Sequence, residues 1–401
     1  MTSSPRRLMW AGFLGIFVWG SIAGLLGAIL PSLRERSGIS LAESGGLFVA
    51  LSSGLVVASL LAGFLLDSVG KKKVLCSAVA LVIVSLVAFE TTNALGALLL
   101  IAFLLGAGGS ALVTAAHALI ADLNPEHRSG ALNLLDFFFG VGAFVTPFLL
   151  VPLQKSGGIG SVLFALAALA GVVLAYLLSV TMPAPARTRD LSFADRASIL
   201  GSLQFWVPAT LLFLYVGTEQ SVWDWQVTYF MKQLSMDNIE AARVLSIFPI
   251  AIMLGRLLTN VLLRRVAPQP LLVASAVGAA LCFGLILTTH DARAASMALF
   301  VAGLFMASVF PTTLGILSGR FPETSGTALG LAITGGWLGS VAISPSFGFV
   351  AHRSDFGTAY LVVVASATAM VVVSLALWRQ GGVTERASAK SGAAGSAVEV
   401  S

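Results

Sequence analysis

The chain has 401 residues, 57% of them hydrophobic and only 10% charged, with a net charge of +5. A soluble domain carries about 25% charged residues because its surface must stay hydrated, so this composition excludes a soluble domain and fits a surface that faces lipid. The basic residues fall mostly between apolar runs, where they set topology and do not form a nucleic-acid patch, and the 41 glycines and 14 prolines suit packed membrane helices.

A spanning helix needs about 20 largely apolar residues. A lone apolar strand would leave its backbone unpaired in lipid. On that template the sequence predicts twelve helices. The first covers 8–33, too long for the core of a signal peptide, and carries Trp19. The second and third, 43–67 and 74–93, flank a short basic loop. The fourth, 95–121, holds His117, and Asp122 follows at its end. The fifth, 130–152, carries Asn133 and, about two turns in, Asp136; the sixth is 160–180. The longest internal connection, 181–202, contains Met182-Pro183-Ala184-Pro185 and an amphipathic piece over 191–200. It separates an N-terminal half, 1–180, from a C-terminal half, 203–379. The seventh helix, 203–231, carries Glu219 near its middle. The eighth, 240–263, has Arg256 after Gly255. The ninth and tenth are 270–289 and 294–319, the latter with Thr312. The eleventh, 325–350, carries Trp337, and the twelfth is 357–379. Residues 380–401 are rich in Gly, Ala and Ser and read as a disordered tail.

With the N-terminus in the cytoplasm, lysines and arginines on that side outnumber those on the other by about two to one, which places both termini inside. The halves read as repeats. Pro125-Glu126-His127-Arg128-Ser129-Gly130 follows the fourth helix, and Pro322-Glu323-Thr324-Ser325-Gly326 follows the tenth. Cys76 and Cys282 take equivalent places in the third and ninth helices and read as reduced packing residues. A duplicated six-helix unit puts a solute site between the halves near mid-membrane.

The loop between the second and third helices reads Gly63-Phe64-Leu65-Leu66-Asp67-Ser68-Val69-Gly70-Lys71-Lys72-Lys73. A glycine lets helix ends approach closely, and an Asp at a helix end can pair with basic groups or with a neighbouring helix's N-terminal dipole, holding one conformation shut. The string resembles the signature loop of the major facilitator superfamily. That resemblance implies an all-α integral membrane protein of twelve helices in two pseudo-symmetric halves that rock around a central cavity. Gly63, Asp67, Gly70 and Lys71 of the loop are the gating candidates, joined by Arg256 of the eighth helix, a buried charge that reads as a structural ion-pair partner more than as a ligand. Leu132–Gly142, Phe213–Trp223 and Gly303–Thr312 look like the fucose/glucose/galactose:cation symporter branch, which implies sugar uptake driven by a proton or sodium gradient. Fucose permease types have buried acids in helices one and four; here helix one has none and helix four only Asp122.

Ionisable groups inside a membrane are costly, so each is a functional candidate. Tyr215, Glu219, Trp223 and Gln226 recur at helical spacing. Carboxylate and amide can bond sugar hydroxyls, and Trp can stack on the apolar ring face; the plainer alternative for such a stripe is packing. Trp19, Asn133, Thr312 and Trp337 are further substrate-contact candidates. Asp136 and His117 lie at similar depth and can pair as a cation relay or as a structural bond; Glu219 and Asp224 are the other coupling candidates. Motifs for enzymatic chemistry, metal binding and ATP binding are absent from the sequence. The expectation is a monomeric secondary carrier in a bacterial inner membrane, surrounded by lipid. It takes a monosaccharide with H+ or Na+ and uses no cofactor and no nucleic acid. The rivals are an exporter of drugs or metabolites and a non-transporting sugar sensor.

Overall fold

The structure, a computed structural model, describes residues 3–182 and 198–398. Its helices are α1 (Pro5–Ala23), α2 (Leu25–Ser37), α3 (Leu41–Val69), α4 (Lys71–Thr91), α5 (Leu95–Leu123) and α6 (Arg128–Ser179) in the first half. The second half holds α7 (Leu203–Gln233), α8 (Asn238–Leu262), α9 (Pro268–Thr288), α10 (Ala292–Met306), α11 (Val309–Arg320), α12 (Ser325–Arg353) and α13 (Phe356–Val398). Of the central connection, residues 183–197 lie outside the described residues, and a short 3-10 turn, Ser198–Gly201, leads into α7. The backbone of α13 continues to Val398, through the stretch composition marks for disorder; the side chains of 382–398 lie outside the described residues.

Breaks in the helices have local causes. Gly24 separates α1 from α2, and the pair is bent by 41°. Gly158, at φ 68°, divides α6 into two rods. The tenth predicted span is interrupted at Ala307–Ser308 because Pro311 lacks an N–H and its ring crowds the carbonyl four residues earlier. Gly70, at φ 92° and ψ 154°, makes the tight link from α3 to α4, a backbone conformation that a side chain disfavours. Among the described residues ten helices are long and apolar enough to cross a membrane, or eleven with the bent α1–α2 pair. The remaining expected span is α7, 31 residues long but interrupted by Glu219, Gln220, Asp224 and Gln226.

The two halves form separate apolar cores. The first gathers buried residues from α1 to α6 and extends onto Leu314, Leu317, Leu329 and Ile333 of the second half. The second is built within α7 to α13 around Phe248, Phe283, Phe347 and Tyr360. Cys76 and Cys282 are free and half-buried against these cores, as expected.

The halves meet along two seams at the end of the molecule where α1 begins. One runs between α3 and α12, where Gly63 and Gly330 let the backbones touch: a Cβ on Gly330 would lie 2.6 Å from the Gly63 Cα and 2.6 Å from the Ser59 carbonyl oxygen. The other joins the start of α6 to α8 and α11. There the Asn260 amide donates to the Gly130 carbonyl at 2.7 Å, and a Cβ on Gly315 would strike Ser129. The duplicated Ser-Gly sequences thus open the two helices, α6 and α12, that make the two seams. The inter-half bonds of Ser129, Asn133, Asn260, Ser325 and Asp67 lie in this termini-side region.

Candidate solute and coupling site

Above the seams, α5, α6, α7 and α8 bring ionisable side chains together deep between the halves. Asp136 lies eight residues into α6, about 12 Å from its termini-side end at 1.5 Å per residue. His117 on α5 faces it, with Nε2 3.1 Å from Oδ1. His117 is buried and Asp136 is 4% exposed. The sequence pairing of these two residues is therefore realised in space. The other ring nitrogen of His117, Nδ1, sits 2.8 Å from the Val113 carbonyl oxygen, one turn back on α5.

Arg256 comes from the opposite half. Its Nη1 donates to the backbone carbonyl of Asp136 at 2.9 Å, while its Nε finds no partner. Glu219 and Tyr215, one turn apart on α7, stand within electrostatic reach of Arg256 and Asp136. The Tyr215 hydroxyl is buried beside Glu219 without closing a hydrogen bond of ordinary geometry. The cluster therefore holds two carboxylates, one guanidinium and one imidazole, with His117 Nε2, Asp136 Oδ2, Tyr215 Oη and Arg256 Nε making no hydrogen bond. Buried polar atoms are normally satisfied, so these orphans fit groups that water or a solute reaches during function. Phe310 on α11 links the cluster, its ring 5.7 Å from His117 and 6.1 Å from Tyr215. Phe310 falls within the Gly303–Thr312 stretch, but the sequence does not mark it there as a site residue.

The rest of the polar stripe divides. Trp223 is 41% exposed and meets Phe248 edge-on. Gln226 turns into the second core, accepting the Tyr360 hydroxyl at 3.0 Å, which departs from the expected common stripe. Asp224 is held by the Gln220 amide at 2.8 Å and the Ser344 hydroxyl at 2.5 Å, so its carboxylate ties α7 to α12. Trp19 packs inside the first core with its ring over Gly109, where a Cβ would lie 2.2 Å from the ring. Trp337 keeps a buried Nε1 with no partner. Asn133 and Thr312 bond each other across the halves at 3.0 Å and form part of the seam.

The gating candidates sit at the termini end. The Asp67 carboxylate accepts from the Gly326 and Thr327 amides at 3.1 and 2.8 Å and from the Thr327 hydroxyl at 2.7 Å. It thereby caps the N-terminus of α12 in the other half. Lys71 reaches a different acid, Asp122 at 2.5 Å, which also accepts from Ser325 at 3.3 Å. Of the two expected ways to hold Asp67, the helix dipole is the one these bonds use. Asp122 and Asn260 were not singled out for the seams; their polarity at helix ends was the available signal.

The Major Facilitator Superfamily model matches residues 9–342 and 226–399. A solved fucose:proton symporter of E. coli superposes with TM-score 0.80 at 19% identity, covering 94% of this chain and 99% of that one. A proton:xylose symporter bound to 6-bromo-6-deoxy-D-glucose superposes at 0.76 and 16% identity, covering 94% and 95%. A putative glucose/galactose transporter of Helicobacter pylori is 24% identical over 59% of this chain and 62% of its own length.

Proposed function

Because the chain belongs to the Major Facilitator Superfamily, and is a transporter and not an enzyme, we propose that it takes up a small sugar together with a cation by alternating access. The observation that carries this reading is the cluster of Glu219, Arg256, Asp136 and His117 buried where the two halves meet. Charges buried in a membrane protein are expensive and persist where a solute or ion uses them. Glu219, with Tyr215 beside it, offers hydroxyl-bonding groups. Trp223, still partly exposed on the same helix, offers an apolar face to a sugar ring. The sugar symporters that share the fold, and the putative glucose/galactose transporter, support a monosaccharide as the solute class.

With both termini in the cytoplasm of a bacterial cell, the closed seams face the cytoplasm and the site is offered to the outside. Solute and cation binding then draw the outer ends together, and the Asp67 and Asn133 contacts release inward. Uptake by proteoliposomes of radiolabelled D-glucose, D-galactose and L-fucose tests the reading. Saturable, gradient-driven accumulation of at least one sugar is expected. Saturable efflux with no uptake under either gradient polarity refutes uptake. Absence of any flux or counterflow for all three removes the sugar assignment.

A further inference from the structure

We propose that the solute carries a primary ammonium, as a protonated amino sugar does, and that His117 Nε2, Asp136 Oδ2 and Asn133 Oδ1 receive it. The assignment rests on the carrier reading above and names the chemical class of its solute.

The polar atoms left over in the site are mostly acceptors. A backbone carbonyl can only accept, so the 2.8 Å contact with Val113 fixes a hydrogen on Nδ1 of His117 and leaves a lone pair on Nε2 of the neutral ring. That Nε2 lies 3.1 Å from Asp136 Oδ1 and makes no hydrogen bond with it, so a lone pair stands beside a carboxylate with no hydrogen between them. Asp136 Oδ2 accepts nothing. Asn133 precedes Asp136 by three residues and is its neighbour on the face of α6. Its amide nitrogen donates to the Ser129 carbonyl and the Thr312 hydroxyl, and its Oδ1 accepts nothing. None of the three side chains is more than 4% exposed. Unpaired buried acceptors are costly, and a group with three N–H donors and no acceptor satisfies all three. A primary ammonium is that group, whereas a sugar hydroxyl brings one hydrogen and adds lone pairs of its own.

Charge leads to the same group. Asp136 and Glu219 stand near one guanidinium, that of Arg256, so with a neutral imidazole the cluster is one positive charge short. An uncompensated buried carboxylate is strongly disfavoured, and the ammonium supplies the missing charge. A sodium ion is poorly served here, because hard cations take several oxygen ligands and His117 presents a ring nitrogen. Phe310, with its ring 5.7 Å from that of His117 and 6.1 Å from that of Tyr215, puts aromatic surface beside the same atoms, which suits a cation.

The ammonium sits at the floor of the site. Glu219 and Trp223 lie farther from the termini end than Asp136, so a ring attached to the amine meets them next. Asn133 then makes two kinds of contact: Oδ1 holds the ammonium while Nδ2 holds Thr312 of the other half at 3.0 Å. Solute and inter-half seam share that one side chain, which couples occupancy to the seam. The cation of the carrier reading is thereby the solute's own. One positive charge moves with each solute, and an inside-negative membrane potential drives uptake.

The test uses the full chain. With purified protein at about pH 7, where an amine of the α-amino type is largely protonated, isothermal titration compares D-glucosamine, D-glucose, N-acetyl-D-glucosamine and ethanolamine. D-Glucosamine should bind about tenfold tighter, or more, than D-glucose and than N-acetyl-D-glucosamine, whose acylated nitrogen is neutral. The ratio of affinities is read within one protein, so a general weakening cancels. In Asp136→Asn the ratio should fall to near one; a ratio that survives places the amine elsewhere and overturns the proposal. In proteoliposomes without sodium and with equal pH on both sides, an inside-negative potential of about 100 mV should concentrate D-glucosamine by up to roughly 50-fold and leave D-glucose level. D-Glucose concentrated to the same degree, or bound only with sodium, means that a separate cation fills the acceptors. That result overturns the ammonium and leaves the sugar reading standing, as does equal affinity for D-glucosamine and D-glucose. Ethanolamine bound as tightly as D-glucosamine, with D-glucose and N-acetyl-D-glucosamine both rejected, keeps the ammonium site and removes the sugar reading. Absence of binding by all four ligands overturns both.

Discussion

Replacing Asp67 by Asn should open the α3–α12 seam. The carboxylate accepts two amides and one hydroxyl from the first turn of α12, all between 2.7 and 3.1 Å. An amide keeps one acceptor oxygen and turns a donor toward N–H groups that have nothing to give it. Hydrogen bonds to a charged group contribute about 1.5–3 kcal/mol net. A carboxylate at a helix N-terminus adds about 0.3–1 kcal/mol. Thr327 is buried but the Asp67 carboxylate is partly exposed at this end, so the lower part of the range applies, and about 2–3 kcal/mol should be lost. That moves the ratio of closed to open seam by roughly 30- to 150-fold, at 1.4 kcal/mol per decade. The assay is the rate at which a maleimide modifies a single cysteine at Ala328, whose side chain is buried in the closed seam, on a background lacking Cys76 and Cys282. Modification should accelerate by about that factor, while equilibrium sugar binding changes little. Thr327→Val, which removes only the hydroxyl bond, should give a smaller acceleration. An unchanged rate in the Asn variant would refute the capping role and reduce the loop to a topology signal.

The remaining expectations are shorter. Gly330→Ala sets a methyl against the Gly63 Cα and the Ser59 carbonyl, so maleimide access at the seam should rise and turnover should fall; an intact seam would show that the backbones part at little cost. Glu219→Gln should weaken sugar binding by about 1–3 kcal/mol, or five- to 150-fold, measured by isothermal titration, and Trp223→Ala should weaken it by less. Normal affinity in the Gln variant would take Glu219 out of the solute site. For topology, cysteines at Ser37 and Gly158 should react with an impermeant reagent outside intact cells and one at Ala267 should not; labelling at Ala267 would invert the orientation.

The sequence by itself determined the class of the molecule, because that depends on local quantities. Length of apolar run, scarcity of charge and the placement of basic loops are enough to require spanning helices. The Ser129-Gly130 and Ser325-Gly326 sequences announced a duplication, and both open helices that make inter-half seams. His117 and Asp136 were legible as a pair, since only a partner makes two buried ionisable groups at one depth tolerable. Tertiary structure alone decided what each polar group faces. Gln226 and Glu219 share a helical face within about 20°, yet Gln226 bonds Tyr360 inside one half while Glu219 stands near Arg256. Lys71 follows Asp67 in the same loop but bonds Asp122, because the first turn of α12 already supplies Asp67 with three donors. Helical periodicity fixes the direction of a side chain about its own axis. Which neighbour waits there is set by how five helices from two halves pack, and no local pattern in the chain encodes that.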